Sequence, residues 1–196
     1  RIDRGKTEAK PSNVPFVILG AALLWFGWFG FNAGSALSAS ELAVSAFVVT
    51  NLSAAAATVS WMVIDTIMKG KPSASGIAIG AVCGLVAITP ASGFVTPSSA
   101  ILIGLAAGVI SNLVSTWRAR TRLDDALDVF ACHGVSGIWG SIATGLFATT
   151  AVNPAGANGL FYGNPRLFLI QAAVVLVVMA FAFVVSFVLL KIINRF

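Results

Sequence analysis

Three ionisable side chains interrupt otherwise apolar runs: Asp65, Asp128 and His133. An ionisable group inside a membrane is costly and rare, which makes each a candidate site. His133 is the sole histidine and lies in Cys132-His133-Gly134-Val135-Ser136-Gly137, among small residues. In a bilayer, desolvation favours the uncharged imidazole, which keeps one donor and one acceptor. That hardware suits the passage of a proton or a small polar molecule; an interhelical hydrogen bond is the competing reading. Asp65 lies four residues before Lys69, the spacing at which charges pair along a helix, and reads as structural. Asp128 precedes His133 by five residues, about 140° around an ideal helix, so direct pairing is not expected. It reads as a buried structural carboxylate that caps another helix or accepts backbone N–H groups.

A second cluster is Trp25-Phe26-Gly27-Trp28-Phe29-Gly30-Phe31-Asn32-Ala33-Gly34-Ser35. Trp28, Phe31 and Ser35 fall at i, i+3 and i+7, within about 60° of one another on a helix. An interfacial aromatic belt accounts for Trp25 and Phe26. It accounts poorly for the small and polar residues between Phe31 and Ser35. The sequence contains no nucleotide-binding loop, no metal-ligand cluster and no Ser-His-Asp arrangement, so neither enzyme chemistry nor a metal or cofactor is expected.

The elements that hold these residues follow from composition. Of 196 residues, 58% are hydrophobic and 10% charged, against about 25% charged in soluble domains. Six membrane crossings of about 20 residues each would use about 120 residues. Apolar runs occur at Val14 to Leu37, Leu42 to Met68, Ser75 to Val95, Ser98 to Trp117, Ala126 to Ala148 and Leu167 to Ile193. The third is the weakest, because Gly76 to Ile88 rises only about 20 Å before Thr89-Pro90, and a re-entrant segment is its alternative. If all six cross, Arg1, Arg4, Lys6, Lys10, Lys69, Lys71, Arg118, Arg120, Arg122, Lys191 and Arg195 share one side, with Arg166 alone opposite. That bias favours crossing and places both termini in the cytoplasm, residues 1–13 forming a cytoplasmic loop. The net charge of +5 is thereby explained by orientation, without nucleic acid.

Thr149 to Arg166 carries Asn153-Pro154, Gly156, Asn158-Gly159 and Asn164-Pro165 and reads as an ordered external loop. Glycine rows at Gly76, Gly80 and Gly84, at Gly104 and Gly108, and at Gly134, Gly137 and Gly140 suit close helix packing, with pore lining as the alternative. Cys83 and Cys132 read as small hydrophobes. The opening Arg1-Ile2-Asp3-Arg4-Gly5-Lys6 has neither an initiator Met nor a signal-peptide core, and a piece of something longer is expected.

Three stretches together resemble the ammonium transporter (Amt/Rh) family. Trp25 to Ala36 is similar to its sixth-helix signature, Gly80 to Gly93 to its eighth helix and following loop, and Asp128 to Ile138 to its tenth-helix motif. The resemblance implies an all-α polytopic bundle in which the six spans are helices six to eleven, the second inverted repeat plus the last helix of an eleven-helix fold. It implies a multi-pass cell-membrane protein and a homotrimer with one narrow pore per subunit. Ser35 would hold NH4+ in an outer vestibule, Phe31 would be one of two stacked gate rings, Trp28 would line the pore and His133 would be one of a histidine pair in the dry channel. Asp128 would be a buried structural acid. Ammonium, ammonia and methylammonium are the implied substrates, with NH3 crossing apart from its proton. The first five helices are absent from this sequence, and with them the partner histidine and the opposing wall, so a fragment or half of a split assembly is expected. Family members continue into a tail that contacts P-II signalling proteins, or into a signalling domain, which leaves an ammonium sensor as the alternative to a transporter.

Overall fold

The computed structural model describes residues 11–121 and 123–195; residues 1–10, Arg122 and Phe196 of the basic-residue and loop expectations lie outside it. Six α-helices make up the described chain: α1 (Val14–Asn32), α2 (Glu41–Lys69), α3 (Ala74–Ile88), α4 (Pro97–Ala119), α5 (Ser136–Phe147) and α6 (Pro165–Ile193). The fold is all-α. Local chemistry fixes the boundaries. Asn13, Ser40, Ser73, Thr96 and Asn164 each turn a side-chain oxygen onto a backbone N–H of the first turn, and Gly70 closes α2 at φ +79°, a conformation glycine adopts without strain.

Packing partners give the direction of each helix. Gly76, Gly80 and Gly84 of α3 face Asp65, Trp61 and Ser53 of α2 in reverse order, so these helices run antiparallel. Gly104 and Gly108 of α4 face Ser53 and Ala57 in the same order, so α4 runs parallel to α2. Ser136 meets Ser111, and Trp139 Nε1 donates to the Ile103 carbonyl, which turns α5 against α4. Gly145 abuts Phe168 near the start of α6. α1 ends beside Thr50 and Thr89. Each helix thus reverses the one before it, α3 included, and its reversal is what a crossing requires. Lys69, Lys71, Arg118, Arg120, Lys191 and Arg195 collect at one end of the bundle, with Arg166 at the other.

The glycine rows divide. At Gly84, Gly104, Gly108 and Gly140 an added Cβ would collide with backbone of the neighbouring helix, so these serve close helix packing. Gly134 and Gly137 meet only side chains, at 3.5 Å and 3.9 Å. The core lies between α2, α3 and α4, around Val49, Leu85, Ile88 and Ile103, all fully buried. α6 has no buried residue and, among the described elements, touches only α5 and the turn at Leu160–Tyr162.

Three spans differ from the sequence expectation. The third helix stops at Ile88, and residues 89–95 are turns rather than helix, since Pro90 supplies no N–H to continue the ladder. The fifth does not begin at Ala126: a π-helical turn occupies Phe130–Val135 and the α-helix starts at Ser136. The first ends at Asn32 and passes into a 3-10 turn at Gly34–Ala36. Four helices, α1 with that turn, α2, α4 and α6, are long and apolar enough to cross a membrane alone, while α3 has 15 residues.

Candidate functional site

The site builds on the contact between α1 and α3. Trp28 Nε1 donates to Thr89 Oγ1 at 2.7 Å, and Thr89 in turn donates to the Leu85 carbonyl at 2.7 Å. The indole is thereby held by the last residue before Pro90. Phe31 sits edge-on to Trp28, ring centroids 5.9 Å apart. Trp28 and Phe31, with Gly20, Leu23, Leu24 and Gly27, line an open apolar groove of about 500 Å³ along α1. Phe31 is 64% exposed in this chain.

Ser35 falls on the 3-10 turn, where its hydroxyl donates to the Phe31 carbonyl at 2.6 Å. It stays one turn beyond Phe31, but the α-helical angle between them no longer applies. The preceding Asn32 is buried and donates from Nδ2 to Thr50 Oγ1 at 3.0 Å, which pins the end of α1 to α2.

His133 lies on the π turn with its side chain exposed, while its neighbours Ala131 and Cys132 are buried. Trp28 packs against the apolar cluster of Trp61, Val82, Cys83, Val86 and Cys132. The structure therefore brings Trp28 and the backbone beside His133 to one cluster. Among the described residues no hydrogen bond or ring contact joins His133 to Trp28, Phe31 or Ser35.

Asp128 is only half-buried and has partners other than those expected from sequence. Its Oδ1 accepts from Ser115 Oγ at 3.0 Å and forms an ion pair with Arg118, both on α4. Its backbone is left-handed, φ +54°. The α-helical angle drawn between Asp128 and His133 fails because a π turn intervenes, although the two still do not pair. The backbone-capping carboxylate is Asp125, whose two oxygens accept from Val129 N at 2.9 Å and Phe130 N at 2.8 Å. The sequence reading gives Asp125 no role, although an aspartate just ahead of a helical run is the local signal that could have found it.

Asp65 bonds Lys69 Nζ at 2.7 Å and also Asn112 Nδ2 at 2.8 Å. Its side chain is 1% exposed, against 51% for Lys69. It therefore serves as a brace between α2 and α4. Nothing in the sequence joined Thr89 to Trp28 or Asn112 to Asp65, since each pair is many residues apart. A groove of about 300 Å³ is lined by Gly134 of the π turn, by Gly137 and Ser141 of α5 and by Gln171 and Val178 of α6, among others.

The Ammonium Transporter Family matches residues 1–196. The ammonium transporter Amt1 of Archaeoglobus fulgidus is 50% identical over 182 residues, covering 93% of this chain and 46% of that protein. The crystal structure of Saccharomyces cerevisiae Mep2 superposes with a TM-score of 0.92 at 37% identity, covering 98% of this chain and 44% of that one. A solved structure described as a sensor Amt protein superposes with a TM-score of 0.87 at 31% identity, covering all of this chain and 49% of that one. The chain spans about half the length of the relatives it matches.

Proposed function

The chain belongs to the ammonium transporter family, and from that premise we propose that it forms one wall of a pore that carries ammonium across a membrane. The observation that carries the reading is the exposed His133, set on an irregular turn beside the Trp28 cluster. A hydrogen-bonding imidazole offers a small polar molecule a partner inside an apolar span, where an unpartnered N–H costs several kcal/mol, roughly. Phe31 and Ser35 lie toward the end of the bundle away from the basic residues, where an aromatic face and a hydroxyl attract NH4+. The basic end faces the cytoplasm in this reading, and NH3 passes His133 after the proton has parted from it. The remainder of the fold supplies the opposing wall, and the complete protein works as a homotrimer.

The test is made on the complete protein containing this chain, reconstituted in liposomes. An ammonium jump should evoke a saturable current that His133→Ala reduces or makes less selective, without loss of the folded assembly. Wild-type ammonium and methylammonium fluxes in His133→Ala would remove the residue from the mechanism. The likeness to a sensor Amt protein favours a second reading, an ammonium receptor on the same scaffold. Ammonium binding without current or uptake would establish it.

A further inference from the structure

The segment that carries His133 is tied to α4 at both ends. At its entry, Asp128 accepts from Ser115 and pairs with Arg118. At its exit, the hydroxyls of Ser136 and Ser111 lie 2.8 Å apart, and both residues are fully buried. Ser111, Ser115 and Arg118 follow at i, i+4 and i+7, one stripe of α4. The stripe provides about 6 to 10 Å of rise between the two ties, whereas the eight residues from Asp128 to Ser136 would rise about 12 Å as an α-helix. A π turn closes its ring over five residues and fits more chain into each turn. The surplus is taken up at Phe130–Val135, and His133 rides on it.

We propose that Ser111, acting through Ser136, is a positioning residue for His133: the buried hydroxyl pair holds the exit of the π turn and so fixes where the imidazole stands. The functional part of this inference rests on the reading that His133 lines the conduction path. Cys132 reaches the Ile79 carbonyl at 3.9 Å, too long to hold the turn by itself. Trp139 is anchored to Ile103 only after α5 has resumed. The Ser111 and Ser136 pair is thus the tie nearest to His133 on its C-terminal side.

The experiment uses the complete protein in liposomes and reads the ratio of ammonium to potassium current. Ser111→Ala should change that ratio about threefold or more, as coupled neighbours do. The double variant Ser111→Ala with Ser136→Ala leaves no buried hydroxyl without a partner, so it should melt like the wild type yet keep the altered ratio. In a His133→Ala background, neither change should alter the ratio further. Where His133→Ala itself alters the flux, a wild-type ratio in the double variant, or an equal effect with and without His133, would overturn the proposal. A cryo-electron microscopy map of the double variant supplies an arm that does not depend on transport. A π turn relaxed towards α-helix with His133 displaced is the expected result, and an unchanged turn would overturn the proposal. Displacement of His133, combined with unchanged flux in His133→Ala, would uphold the register and sink the conduction reading instead.

Discussion

Gly104→Ala probes the seam between α2 and α4 most directly. A Cβ at Gly104 would stand 2.8 Å from Ser53 Cα and 2.9 Å from Ser53 C, with the Ser53 carbonyl oxygen nearer still. These are backbone atoms, which cannot rotate aside as a side chain would. Carbon atoms pack at about 3.5 to 4.0 Å, so the helices must part by about 1 Å. Overpacking of this kind costs about 1 to 3 kcal/mol, and the upper end applies where backbone meets backbone. Alanine recovers up to about 1 kcal/mol through its helix propensity, which leaves a net loss of about 2 kcal/mol. The same parting strains the Asn112 to Asp65 hydrogen bond, 2.8 Å long on the same pair of helices. Thermal unfolding of the detergent-solubilised protein should show a midpoint lower by about 5 °C. Gly93→Ala is the control, since its nearest neighbour, Leu42 Cδ1, lies at an ordinary 3.8 Å. If Gly104→Ala melts with the control, the two helices are not in backbone contact and the account of the glycine rows is wrong.

Asp65→Ala should cost about 1 to 3 kcal/mol, the half-exposed Lys69 rehydrating while buried Asn112 loses its acceptor; a melting midpoint equal to wild type would remove the brace between α2 and α4. Asp125→Ala strips the acceptors from Val129 and Phe130 and should destabilise the start of the π turn by about 1 to 2 kcal/mol. Amide exchange at those two residues reads this, and unchanged protection would show that the cap is dispensable. Ser35→Leu should raise the ammonium concentration for half-maximal current about tenfold, the equivalent of one hydrogen bond to a charged group. A fixed half-maximal concentration would end the vestibule role.

Legibility in the sequence varied with the range of the determinant. Helices and their starts rest on local signals such as Ser40, Ser73 and Thr96, and the apolar runs located all six. Even the Asp65 and Lys69 pair is local. The π turn escaped because periodicity assumes 3.6 residues per turn throughout, and the side chains that tie its two ends lie in α4, ten to 25 residues away. The partners of Asp128 escape likewise: Arg118 carries a signal of sidedness in the sequence, and no pattern there links it to a carboxylate across a turn. Thr89 was visible only as the residue before Pro90, although its hydroxyl fixes Trp28.

The isolation of α6 has a consequence for the surrounding lipid. Arg166 and Lys191, near the two ends of this helix, are separated by about 37 Å of helix axis, while a typical hydrocarbon core is about 30 Å thick. The stretch between them is longer than that core, which favours a lean of the helix, more in a thin bilayer and less in a thick one. Because α6 reaches the bundle only through α5 and a short turn, that lean is delivered to the helix that continues from the His133 segment. Bilayer thickness thus becomes a mechanical input to the part of the fold where the imidazole is held.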